Sequence, residues 1–283
     1  MEFALCNEVL RELPFQRQCE IAAGLGYAGL ELAPFTLSDE PHLLPQAKRR
    51  EVRTIAEDQG VRIIGLHWLL VAPEGLSITS SDPARRERTV EVMRRLVELC
   101  HDLGGSVLVH GSPAQRNPAN AESPEAARGN AAECLKAAGD AAGAAGLIYC
   151  LEPLSTRETP FINTIDEALN FIGEIGSAGL RTMIDTAAAS DMEPLPVAET
   201  IVAKWHSGDL AHVQLNDRNR RAPGQGEDRF GPVLRALRTV GYQGPISVEP
   251  FIYEPDGPTT AALAAGYLKG LVELLDAESG ENG

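Results

Sequence analysis

The stretch "PARRERTVEVMRRLVELCHDLGGSVLVHG", residues 83–111, decides how the chain is read. Val90, Met93, Leu96, Val97 and Cys100 recur at helical spacing, with Arg and Glu on the other face, which predicts an amphipathic helix. Gly104 and Gly105 follow where the chain must turn back, and glycine suits the left-handed position after a helix. "SVLVHG" is then a short apolar run, a strand, that ends on His110. Helix, glycine joint and strand make one turn of an α/β fold with a parallel sheet.

The unit repeats from end to end. The strand-like runs are "FALC", "GLELA", "RIIGLHW", "SVLVHG", "LIYCLEP", "RTMID", "AHVQLND" and "PISVEPF", eight in all. Between them lie further helical patterns. "SPEAARGNAAECLKAAGDAAGAAG" opens with Ser123 as a cap and Pro124 in first position. "DEALNFIGEIG" and "FGPVLRALRTVG" behave alike, and a last helix starts near Pro258. Eight βα units predict one (β/α)8 TIM barrel over residues 1–283. The rival, a doubly wound sheet, lacks its phosphate cradle: the first turn, "ALCNEVL", carries no G-x-G-x-x-G. No linker or low-complexity segment divides the chain, and the tail "DAESGENG" reads as frayed.

Composition narrows the partners. A chain 43% hydrophobic and 23% charged has an ordinary globular balance. Its formal charge of −15 argues against nucleic acid and against an anionic membrane surface. No basic n-region or long apolar h-region opens the sequence, so no signal peptide is expected. The longest apolar stretch, "IIGLHWLLVA", is broken by His67 and too short to span a bilayer. Five cysteines, odd in number and without a C-x-x-C, point to a reducing cytoplasm.

In a parallel barrel the strand C-termini share one face, and that face builds the active site. The runs deliver His67 and Trp68, His110, Glu152, Asp185, His212 and Glu249 there. Each has an ordinary reading. A strand-end Asp caps the next helix, a His sits satisfied in the core, and a Trp packs. Glu152 and Glu249 resist it, because each follows an apolar run and precedes Pro, and unpaired buried carboxylates are costly. Glu152, Asp185, His212 and Glu249 fall on four successive strands and suit one divalent cation. Oxygen and nitrogen ligands without thiolate favour Mn²⁺, Mg²⁺ or Co²⁺, and Zn²⁺ also fits.

Carried by "LEPLSTRETPFINT", "MIDT", "HVQLNDRNR", "PGQGEDRF" and "SVEPF", the chain resembles the xylose isomerase-like TIM-barrel superfamily. The branch in question is that of the sugar isomerases and epimerases, which includes the ketose 3-epimerases. The resemblance covers essentially the whole chain. It implies metal ligation by Glu152, Asp185, His212 and Glu249, and sugar contacts from Glu158 and Arg218. It also implies a homodimer or homotetramer. The family's D-x-x-H is here Asp185 followed by Ala188, so the usual substrate contact is missing or comes from elsewhere, for instance His67 or Arg218. That alanine, with "DRF" in place of D-R-H, also removes histidines that the family's three-zinc DNA-repair endonucleases need.

The expected chemistry is proton abstraction beside a ketose carbonyl through an enediolate, with Glu152 and Glu249 as the acid–base pair. His67, Trp68, His110, Glu158 and Arg218 are the expected substrate contacts, with Phe251 as a second apolar wall. Two alternatives share these residues: a metal-dependent lyase or dehydratase on a keto-sugar or keto-inositol, and a non-catalytic sugar-binding or complex subunit. "RRAPGQGEDRF", residues 220–230, reads as a mobile loop that closes over the substrate, or simply as the entry to a helix. Without a P-loop or lysine pair, an unphosphorylated substrate is expected.

Overall fold

The computed structural model describes residues 1–205 and 208–280. Eight parallel strands close into a barrel in sequence order: β1 (Phe3–Cys6), β2 (Gly29–Leu32), β3 (Arg62–Leu66), β4 (Val107–His110), β5 (Ile148–Leu151), β6 (Leu180–Asp185), β7 (Leu210–Leu215) and β8 (Ile246–Val248). The seam is the pairing of β1 with β8, Phe3 opposite Ile246.

Among the described residues the α-helices are α1 (Phe15–Leu25), α2 (Gln46–Asp58), α3 (Pro83–Leu103), α4 (Pro124–Ala144), α5 (Ile165–Ile175), α6 (Thr186–Met192), α7 (Val197–Lys204), α8 (Phe230–Thr239) and α9 (Gly257–Gly280). Ser123 caps α4 through the amide of Ala126, as its sequence predicts. The tail expected to fray is helical through Gly280, because α9 continues past the last apolar residues; residues 281–283 lie outside the described range. No helix among the described residues is long and apolar enough to cross a membrane. All five cysteines are buried and free.

Alternation along each strand divides two environments. Leu5, Leu30, Leu66, Leu108, Leu151, Val213 and Val248 face outward into the apolar layer under the helices. The inward set holds a small apolar group, Val107, Val109, Cys150 and Met183, together with buried polar side chains, among them Glu31, His212 and Gln214. Packing between α4 and β6 is close: a Cβ on Gly179 would lie 2.1 Å from the carbonyl oxygen of Gly139.

One irregularity fixes the site's register. Between Thr182 and Met183 the ladder to β7 skips a residue, so His212 sits beside Met183 and Gln214 beside Asp185. Such bulges re-aim side chains at the rims of barrels.

Candidate metal centre

Three of the four expected ligands meet. Glu152, Asp185 and Glu249 come from the ends of β5, β6 and β8, and each offers an oxygen within 4.8 Å of the others. They are 4%, 5% and 2% exposed, so their charges face one another with little water between them. Burial, then repulsion from Glu249 and Asp185, raises the Glu152 carboxyl well above the usual range. Burial likewise pushes Asp185 up to about 7, against the pull of the Ala188 amide. It pushes Glu249 up to about 8, against the pull of His67. Three carboxylates in this state invite a cation.

Their supports come from nearby backbone. Asp185 caps α6, its Oδ1 accepting the Ala188 amide at 2.7 Å, and its Oδ2 is buried without a partner. The ordinary reading of Asp185 as a helix cap holds for its Oδ1. Gly111, just past β4, makes room for Glu152: a Cβ there would lie 2.2 Å from its Oε2. Arg116, wholly buried, donates to the Glu152 carbonyl at 2.7 Å, and burial lowers its guanidinium to about 10. Asn216 ties the ends of β6, β7 and β8 together, donating to the Glu249 carbonyl at 3.1 Å and accepting the Ala187 amide at 3.0 Å.

His212 is placed differently. It lies two residues before Gln214, one step deeper in the barrel, and its Nε2 is 2.9 Å from Glu31 Oε2. It does not join the three carboxylates. Gln214 stands beside Asp185 instead; its Nε2 donates to Glu31 Oε1 at 3.3 Å, and its Oε1 is buried without a partner. Burial works to raise the Glu31 carboxyl, but His212, His67 and Ser247 together bring it down to about 2.

Above the carboxylates opens a cavity of about 400 Å³. Glu152 and Asp185 form part of its floor, and Trp68, Phe251, Glu158, Ala188 and Arg220 stand in its walls. Trp68 stacks on Phe251, centroids 5.8 Å apart, and both rings line the cavity. Trp68, Ser112 and Arg220 all have left-handed backbone, at φ 51°, 35° and 68°, and all three line the cavity. Such strain in non-glycine residues collects at functional sites.

His67 and His110 do not reach the cavity wall. His67 is held between Glu249 and Glu8, at 2.8 and 2.9 Å. His110 follows the outward-facing Leu108 and bonds Tyr149 Oη at 2.9 Å in the layer under the helices. Burial lowers its imidazole to about 3, so it is neutral. Arg218 lines the cavity, but its Nε and Nη2 are bound to Asp228 at 2.8 and 2.7 Å. Arg220 is the freer cation, its guanidinium 4.6 Å from the Phe251 ring centroid and 4.0 Å from Glu158. The loop 220–230, expected to be mobile or simply to enter a helix, leads into α8 at Phe230 and is hydrogen-bonded at several points. Asp217 accepts the amides of Asn219 and Asp228, and Gln225 donates to the Glu254 carbonyl.

A sequence model of the xylose isomerase-like TIM barrel matches residues 19–271. The chain belongs to that family. Within it, the D-psicose 3-epimerase of Enterocloster bolteae is 26% identical over 246 residues, 85% of this chain and 78% of that one. The L-ribulose 3-epimerase of Mesorhizobium japonicum is 31% identical over 195 residues, 68% of this chain and 63% of that one. The fold superposes on the D-psicose 3-epimerase of Clostridium cellulolyticum H10, solved with D-tagatose, with TM-score 0.81 at 19% identity, covering 97% and 99% of the two chains.

Sequence reasoning missed Gln214, Glu31, Glu8 and Arg116. For Glu31 the signal was present: a charge inside the apolar run "GLELA" has to find a buried partner. For Gln214 the alternation His212, Gln214, Asn216 showed three inward residues without showing their depth. Arg116 ends a single 3₁₀ turn, Pro113–Arg116, too short for periodicity to mark burial.

Proposed function

We propose that the chain is a divalent-metal-dependent epimerase of an unphosphorylated ketose, acting at the carbon next to the carbonyl. The observation that carries this reading is the meeting of three buried carboxylates from separate strands, two of which, Glu152 and Asp185, line the floor of an aromatic-walled cavity. The ketose 3-epimerases among the relatives support it.

The donor set fits a hard cation such as Mn²⁺. It is rich in oxygen, and Asp185 Oδ2 and Gln214 Oε1 are both buried without partners. Glu152, Asp185 and Glu249 would hold the ion, with Gln214 in the fourth place that the sequence assigned to His212. When bound, the ion supplies Lewis acidity to a substrate carbonyl and neutralises the carboxylates. Glu152 and Glu249 come from the ends of different strands, β5 and β8; one removes the C3 proton and the other returns a proton from the opposite face. Arg220 and Glu158 hold distal hydroxyls, while Trp68 and Phe251 pack the sugar's apolar face. Ala187 and Ala188 leave the wall beside Asp185 without a hydrogen-bonding side chain.

Incubation of the purified chain with Mn²⁺ and a panel of ketoses in D₂O tests this directly. Deuterium at C3 together with an epimeric product is the expected result. Absence of solvent exchange with every ketose would sink it, and loss of water from the sugar would point to a lyase. Glu152→Gln should lower turnover by about 10²–10⁴-fold, the range for loss of a general acid or base.

A further inference from the structure

Beneath the proposed centre lies a second tier of ionisable side chains that the reaction does not use. We propose that Glu8 and His67 are positioning residues that fix the carboxylate of Glu249. This rests on the reading of Glu249 as a ligand and proton-transfer group.

Glu8 sits in the short turn Asn7–Leu10 after β1, and His67 follows β3; they are 3% and 0% exposed. The ring's Nδ1 lies 2.8 Å from Glu249 Oε1 and its Nε2 lies 2.9 Å from Glu8 Oε2. Both nitrogens are thus committed to carboxylates, and the ring has no atom left with which to bind a sugar. The His67 amide donates to the Leu32 carbonyl at 3.0 Å, so the ring hangs from a fixed point. With Oε1 of Glu249 held by the imidazole, its other oxygen is the one left to face the ion.

A core built for stability alone has little reason to bury Glu, His and Glu in a row, since desolvating such groups opposes folding. A ligand carboxylate that must keep one orientation does have a use for it. Gln214 is held in a parallel way, by Glu31 with His212 behind it. Two imidazole–carboxylate pairs therefore brace the β7 and β8 side of the centre. Backbone and Arg116 brace the β5 and β6 side.

The test is Mn²⁺ titration of the full chain, following free Mn²⁺ by electron paramagnetic resonance, with thermal melts of the metal-free protein alongside. His67→Leu and Glu8→Ala should each weaken Mn²⁺ binding by about 10–100-fold, the usual effect of removing a group that orients a metal ligand. They should lower kcat more than they raise KM. Glu8→Gln keeps an acceptor for the ring and should recover most of the affinity. The Glu8 variants leave the ring in place and decide the matter should His67→Leu fail to fold. Unchanged Mn²⁺ affinity in folded variants, with only a lower Tm, overturns the proposal and leaves the metal-dependent reading standing. Cys6 completes a group with Glu8, His67 and Glu249 whose ligand atoms lie within 4.8 Å of one another; a second ion in the native chain that Cys6→Ser or His67→Leu removes also overturns the proposal, because these side chains would then be ligands. A native chain that binds no Mn²⁺ overturns the metal-dependent reading itself, and the support with it.

Discussion

At Gly111 a single hydrogen stands where a methyl group would meet the Glu152 carboxylate. The obstacle is the far end of a flexible side chain, so Gly111→Ala has an easy escape: Glu152 swings away. The fold should keep its Tm while Mn²⁺ binding and turnover fall sharply; calorimetry beside a metal titration checks both. A large loss of stability would show Glu152 to be rigidly held and its placement structural. Individual residues also mark how far sequence could be read. The carboxylates Glu152, Asp185 and Glu249 were legible, because charge after an apolar run is conspicuous and costly to bury. His212 was conspicuous too, but chemistry at a strand end depends on depth. A one-residue irregularity in β7 set Gln214, and not His212, beside Asp185.

Elements were easier to read than residues. Amphipathic helices, glycine joints and apolar strands determined the barrel, because each element's face must be buried against the next. What stayed hidden was how elements use one side chain twice. Asp185 is both the cap of α6 and a member of the carboxylate cluster. Asp185→Asn separates these roles: asparagine caps about as well as aspartate, so the melting temperature of the metal-free chain should hold or rise, while Mn²⁺ affinity drops. Loss of both together would make capping the main role. The α4–β6 contact gives a matching structural test. Gly179→Ala drives a methyl group into the backbone of α4 at Gly139, with no side chain to move aside. Overpacking of this kind costs about 1–3 kcal/mol, so Tm should fall by several degrees. The Mn²⁺ stoichiometry of the folded fraction should not change.

Over the whole molecule, the cluster makes stability depend on pH and metal together. Asp185 at about 7 and Glu249 at about 8 lie far above the ordinary carboxylate values near ~4. The folded metal-free chain therefore holds more protons than the unfolded chain across this interval. Its stability is present below about pH 4 and is lost as pH rises toward 8. Melts of metal-free protein should show Tm falling between those limits from this source. Saturating Mn²⁺ should raise Tm at every pH above neutrality, with less effect in acid, where protons compete for the same oxygens. At a hundredfold excess over Kd the gain is about 2.7 kcal/mol. A Tm indifferent to Mn²⁺ at pH 8 would contradict the centre.

The seam between β1 and β8 has a consequence for how the protein is made. Glu8, which follows β1, is made well before Glu249, the group its imidazole neighbour holds, which follows β8. A nascent chain lacking β8 carries Glu8 and His67 with no Glu249 to brace, and Glu152 and Asp185 with no third carboxylate. The complete carboxylate cluster therefore exists only once β8 has closed on β1, and a product truncated before β8 should bind Mn²⁺ more weakly than the closed barrel.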